Sequence, residues 1–156
     1  MRPEDALARL PVPLRRLAYR LAYRVLQVWS LLRPVPAEGV KCVLRHEGRI
    51  LFIRHTYGDR SLWELPGGGL HRDEPPREAA AREAREELGV DLPWSPLASI
   101  DLRDHRLTTM HVFTADAESA VVTPDPGELA ETRWAAPASP PHPLSQSSEA
   151  IVRLLG

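Results

Sequence analysis

The sequence contains one lysine, Lys41, and one cysteine, Cys42. A lone cysteine excludes an intramolecular disulfide and a cysteine-based zinc cluster, so Cys42, set in a β-rich run, reads as a small core residue. A cytoplasmic location fits that thiol usage. Net charge is also nearly absent, at -1, and there is no strong basic tract, which removes any global reason to expect DNA as a partner. Long apolar runs are missing too. The one segment that could mimic a targeting or spanning element, Leu14 to Arg33, is broken by Arg15, Arg16, Arg20 and Arg24.

What is present is ordinary for a globular chain: 43% hydrophobic and 26% charged residues over 156 positions. That length suits one compact domain with a core and is too short for two full-sized ones. From Leu14 to Leu32, Leu14, Leu17, Leu21, Val25, Val28, Trp29 and Leu32 recur at spacings of three and four, which predicts an amphipathic helix. Pro34 and Pro36 end it. The division that follows is an N-terminal helical extension over 1–36 and a main domain over 37–156.

From Val40 the pattern becomes β-rich. Val40 to Leu44, a turn at His46-Glu47-Gly48 and Ile50 to Ile53 predict a hairpin. Trp63 to Pro66 is a short extended piece that runs into Gly67, Gly68 and Gly69 and then a loop to Asp73. A helix is expected from Pro76 to Leu88: proline suits its first position, and Gly89 supplies a left-handed stop. Strands are expected at Leu97 to Leu102, Thr108 to Thr114 and Thr132 to Ala135, and a last helix at Ser145 to Leu155. The alternation argues an α/β layered fold with a mixed sheet.

The chemistry concentrates on the helix at Pro76 to Leu88. Glu83 lies three and four residues from Glu86 and Glu87, so three carboxylates share one helix face. Each like-charge pair opposes the helix by about 0.2–0.5 kcal/mol, and a hard, oxygen-seeking divalent cation is what neutralises such a face. Taken alone, the helix would more often be a solvated face laced with ion pairs. Its surroundings decide otherwise. Gly68 opens a pattern that continues through Glu74, Arg82-Glu83, Glu86-Glu87, Gly89 and an apolar Val90, and every fixed position is filled. Ala80, Ala84 and Leu88, on the other face, are small enough for close packing against a sheet.

This stretch resembles the Nudix box from Gly68 to Val90, and Trp63-Glu64-Leu65-Pro66-Gly67 resembles the family's usual lead-in; the likeness extends over about Gly39 to Pro137. The resemblance implies a Nudix α/β/α sandwich, preceded here by the N-terminal amphipathic helix. It implies Mg2+-dependent hydrolysis, with Mn2+ as a substitute, of a nucleoside diphosphate linked to another moiety. Carried onto this sequence, Glu83, Glu86, Glu87 and the Gly67 carbonyl are metal ligands. Glu86 or Glu83 also activates water, Arg82 fixes the carboxylates, and Glu74 tethers loop to helix, with Gly68 and Gly89 permitting the turns. The family often draws one more acid from a loop before a late strand. Glu128 is that candidate, as ligand or base, with Glu131 behind it; the alternative is a plain polar turn.

Arg54, His55, Tyr57 and Arg60 follow the second strand and suit phosphate and base recognition, although each alone is more often an ordinary surface residue. His105, His111, Asp101 and Asp104 are candidates to line the pocket or are merely structural. The N-terminal helix either packs against its own domain or a second subunit, giving a homodimer, or lies on the inner membrane surface. Within the same fold an isoprenoid-diphosphate enzyme and a catalytically silent nucleotide-binding regulator are the rivals. Both tend to depart from the complete box, which leaves a small nucleotide substrate, a nucleoside triphosphate or nucleotide sugar, as the leading expectation.

Overall fold

A computed structural model of the chain describes residues 10–32, 37–103 and 107–156. The prolines Pro34 and Pro36, and the candidates Asp104 and His105, lie outside the described residues. Helix α1 spans Val12–Leu32, strands β1 Ala37–His46 and β2 Arg49–His55, and helix α2 Pro76–Leu88. Strands β3 Ser95–Arg103, β4 Leu107–Asp116 and β5 Leu129–Ala135 and helix α3 Gln146–Leu155 complete it. The strand order is β3-β4-β1-β2-β5. β1 and β4 run parallel, and the remaining neighbours are antiparallel.

Glu47 and Gly48 both take positive φ, 47° and 73°, as a two-residue turn of type I′ requires. β1 and β2 pair directly only beside this turn, at Arg45–Ile50 and His46–Arg49. Beyond it they part, and the segment before α2 fills the opening. The amides of Val40 and Cys42 donate to the carbonyls of Gly68 and Pro66 at 2.8 Å, and Ile53 and Glu64 exchange both backbone bonds. Buried donors of β1 and β2 are thereby satisfied by a non-strand segment, which is delivered to the middle of the sheet.

Strand alternation sorts the core into two layers. Val40, Cys42, Leu44, Leu51 and Ile53 face Ala79, Ala80, Ala84 and Leu88 of α2. Val43, Ile50, Phe52 and Val112 face Ile151 and Val152 of α3 together with Trp63 and Leu65. The result is the expected α/β/α sandwich. Small side chains let α2 approach closely, and the Cys42 thiol lies 3.6 Å from the Ala80 carbonyl oxygen.

Of the two packings expected for the apolar face of α1, against its own domain or against a second subunit, the first is not the one observed. Leu14, Leu17, Leu21, Val25 and Val28 are 50–58% exposed. The arginine and tyrosine face is turned inward instead. Arg15 pairs with Asp125 at 2.7 Å, Arg16 Nε donates to the Pro126 carbonyl and Arg20 Nε to that of Thr56, and Tyr19 stacks on Tyr57. Polar anchors at the end of the sheet outcompete apolar burial because that end offers carboxylates and free carbonyls rather than an apolar groove.

Gly67 carries the tightest steric demand. Its φ is 137°, and a Cβ there would overlap the Val40 carbonyl oxygen, part of the β1 backbone. Gly67→Ala should therefore lower unfolding free energy by at least about 2 kcal/mol, measured by urea denaturation; a loss below about 0.5 kcal/mol would contradict this account of the wedge.

Candidate active site

Helix α2 begins with Pro76 at its first position and ends at Gly89, whose φ of 66° and amide bonds to Ala84 and Arg85 carbonyls form a left-handed stop. Two further orphan carbonyls are capped from outside: Thr123 N donates to Leu88 O at 2.8 Å and Asp125 N to Glu87 O at 3.0 Å. This capping ties the loop that carries Glu128 to the helix that carries Glu87.

Arg82 organises one half of the acidic face. Its guanidinium makes a two-toothed pair with Glu74, at 2.8 and 3.0 Å, and also reaches Glu83 at 2.7 Å, Glu86 at 3.2 Å and the Gly69 carbonyl at 3.0 Å. Glu74 in turn accepts from His71 N. The hydrogen bonds from Arg82 hold the Glu74 carboxyl down at about 2, with the His71 amide assisting. A Cβ at Gly68 would meet the Glu83 carboxylate and displace it from its place beside Arg82.

Glu87 turns to the other half. It is 1% exposed; one carboxylate oxygen accepts from Gly67 N at 2.9 Å, while the other is buried with no hydrogen-bond partner among the described residues. His55 Nε2 lies 3.7 Å from that oxygen. His55, Glu87 and Glu128 offer ligand atoms within 4.8 Å of one another. Burial, then the charges of Glu128 and Glu83, push the Glu87 carboxyl well above the usual range against the Gly67 amide. Burial likewise raises Glu128 to about 7, opposed by the hydrogen bond it accepts from Tyr57. The His55 imidazole is pushed down to about 4 by burial and is neutral, as a ligand or acceptor must be. A buried carboxylate oxygen without a donor, beside further oxygen ligands, fits a hard divalent cation.

The structure thus brings Glu83, Glu86, Glu87, Gly67, His55, Tyr57 and Glu128 around the end of α2. Arg54 falls elsewhere: it pairs with Glu131 of β5 and lies 5.0 Å over the Trp63 ring. β2 continues through both residues, so adjacent Arg54 and His55 face opposite sides of the sheet. His111 pairs with Glu38 at 3.0 Å and Asp101 accepts from Thr109. A cavity of about 450 Å3 lies beside Gly67–Gly69 and is lined also by Tyr19, Tyr23, Lys41 and His55.

Lys41, Tyr19 and Tyr23 were absent from the sequence-based site. Lys41 is buried and pairs with Glu64 at 2.7 Å; burial depresses its ammonium, but Glu64 more than offsets this and the net shift is upward. A single lysine inside a β-rich apolar run was the available signal. The tyrosines had none, because the helix face that docks was not legible.

The Glu74–Arg82 pair generates a test by acid. A carboxyl held below its unfolded value of about 4.3 contributes stability above that pH and loses it as pH falls toward about 2. Unfolding free energy of the wild type should fall across that window, and Glu74→Gln should be less stable at pH 7 with a shallower fall. Parallel pH profiles for the two proteins would contradict the pairing.

The NUDIX domain model matches residues 35–155. A MutT-like protein of Streptomyces ambofaciens is 42% identical over 69 residues, 44% of this chain and 42% of that one. Phosphatase NudJ of Escherichia coli (strain K12) is 44% identical over 55 residues, 35% of this chain and 36% of that one. The chain therefore spans less than half the length of these curated relatives. Among solved structures, a MutT NUDIX hydrolase from Burkholderia pseudomallei matches with a TM-score of 0.71 at 27% identity, over 78% of this chain and 99% of that chain. A UDP-X diphosphatase matches with a TM-score of 0.64 at 20% identity over 83% and 69%, a likeness of fold alone. With the family model spanning most of the chain and the complete Gly68 to Val90 signature folded as loop, helix and loop, the chain belongs to the NUDIX domain family.

Proposed function

We propose that the chain, a NUDIX extension-plus-domain divided at about residue 36, is a Mg2+-dependent hydrolase of a pyrophosphate bond in a nucleoside diphosphate linked to another moiety. The observation that carries this reading is the buried, unpartnered oxygen of Glu87 beside His55 and Glu128, on the helix that also bears Glu83 and Glu86. Similarity to a MutT-like protein, to a phosphatase and to the fold of a UDP-X diphosphatase supports the reaction class and leaves nucleoside triphosphates and nucleotide sugars as substrates.

Glu83, Glu86, Glu87, Glu128 and the Gly67 carbonyl would hold Mg2+, with Mn2+ as a substitute. The bound cation supplies charge neutralisation of the pyrophosphate oxygens. Arg82 holds Glu83 and Glu86 in place. Glu86, the most exposed of the three box glutamates, is the better placed to take the proton of the attacking water; Glu83 is held more tightly by Arg82. Water oxygen bonds to phosphorus, the bridging P–O bond breaks, and two phosphate-bearing products leave. Tyr57, His55 and Arg60 orient the substrate.

Glu86→Gln should reduce kcat by about 10²–10⁴-fold on nucleoside triphosphates or nucleotide sugars with Mg2+, while circular dichroism and nucleotide binding stay as in the wild type. Unchanged turnover would sink this mechanism. Binding without turnover by the wild type on every substrate would favour a silent regulatory module.

The outward apolar stripe of α1 is proposed to pair with a second copy of the chain. The arginines that an interfacial helix would offer to lipid headgroups are turned to Asp125, Pro126 and Thr56, which argues against a membrane surface and for a cytoplasmic homodimer. No helix among the described residues is long and apolar enough to cross a membrane. Sedimentation should find a dimer that Leu17→Asp with Leu21→Asp converts to monomer. A monomeric wild type, or one that floats with anionic vesicles, would reject this assembly.

A further inference from the structure

A second cavity, of about 530 Å3, lies in the seam between α1 and the loop after β2. Its walls carry Arg20 and Arg24 of α1, Arg60 and Asp59 of the loop, and Tyr23 and Tyr57. Arg20 and Arg24 are four residues apart on one helix face, and the loop brings Arg60 to the same space. Like charges at that spacing oppose the helix unless an anion lies between them. Among the described residues Asp59 is the one carboxylate on these walls, and it is occupied with the amide and hydroxyl of Ser61, at 3.0 and 2.6 Å. Arg20 is already oriented, because its Nε donates to the Thr56 carbonyl at 3.1 Å.

Tyr23 and Tyr57 line this cavity and also the one beside Gly67–Gly69. The two spaces are therefore neighbours across a pair of aromatic rings whose centroids are 5.5 Å apart. One is lined by Gly67, Gly68 and His55, which lie against the carboxylates of Glu87 and Glu83; the other is bordered by guanidinium groups, whose planar forks suit phosphate oxygens. A ligand that spans both must carry an anionic group away from the pyrophosphate bound at α2.

We propose that the seam between α1 and the Thr56–Arg60 loop is a second anion site, in which Arg20, Arg24 and Arg60 bind a phosphoryl group of the substrate remote from the cleaved bond. This deepens the hydrolase reading and rests on it: it favours a nucleoside polyphosphate over a nucleotide sugar, which has no phosphoryl group beyond its diphosphate. It also makes α1 part of the substrate site.

The probe is inorganic pyrophosphate, titrated calorimetrically into the full chain in metal-free buffer, where no cation draws the anion to the acidic face of α2 and the arginine cavity attracts it. The wild type should bind it. Arg24→Gln should weaken binding about tenfold, and Arg24→Lys should restore part of it. With Mg2+, Arg24→Gln should raise KM for a nucleoside triphosphate by a similar factor at nearly constant kcat and leave KM for a nucleotide sugar unchanged. Inorganic phosphate should compete with the triphosphate, and this competition should weaken in Arg24→Gln. No metal-free binding, equal binding by Arg24→Gln, an equal rise in KM for both substrates, or non-competitive action of phosphate would each overturn the proposal. Metal-free binding that depends on Arg24, in a chain without turnover on any substrate, would reject the hydrolase reading and leave the anion site standing.

Discussion

The structure is organised around an electrostatic debt at Glu87. A carboxylate 1% exposed has, among the described residues, only the Gly67 amide as donor and has Glu128 and Glu83 as like-charged neighbours. Burying a charge with so few partners costs several kcal/mol unless it is neutralised by a proton or a cation. The surrounding parts maintain that condition. Gly67 lets the wedge segment lie on β1, the wedge presents its amide to Glu87, and the capped end of α2 fixes the Glu128 loop beside it. Arg82 meanwhile compensates Glu83 and Glu86 and is tied to Glu74, so its charge is directed away from Glu87.

Division of labour along one helix follows from this. In the turn bearing Arg82 and Glu83 one guanidinium is shared among Glu74, Glu83 and Glu86, whereas Glu87 in the next turn has the Gly67 amide as its donor among the described residues. A cation placed against α2 therefore gains most at Glu87 and Glu128, while Glu86 remains accessible to solvent and substrate. The alanine face of α2 makes such placement stable, because Ala80 and Ala84 allow the helix to sit close to Cys42 and leave little room to slide.

Much of this was legible from residues alone. The bounds of α2 followed from Pro76 and Gly89, and the acidic face from three- and four-residue spacing, because local backbone preferences decide both. Arg54 and His55 show where that reasoning stops: treated as one loop, they looked equivalent, but β2 extends to His55 and strand alternation sends Arg54 to Glu131 and Trp63. The facing of α1 was illegible for a different reason. Periodicity defines two faces but not which is buried, and the inward face is selected by Asp125, Thr56 and Tyr57, all distant in sequence.

α1 joins the site through side chains that a box-centred reading passes over, and it places aromatic and cationic groups where the sandwich alone has an open edge. The buried Glu87 carboxylate, proposed as the seat of a cation, nevertheless remains the feature on which the rest depends. Its most direct test is thermal unfolding of the wild type and Glu87→Gln during titration with MgCl2. The account requires saturable stabilisation of the wild type, loss of at least tenfold in apparent Mg2+ affinity in Glu87→Gln, and a metal-free variant no less stable than the metal-free wild type. A wild type indifferent to Mg2+ and Mn2+, or a variant that binds either cation as tightly as the wild type, would contradict it.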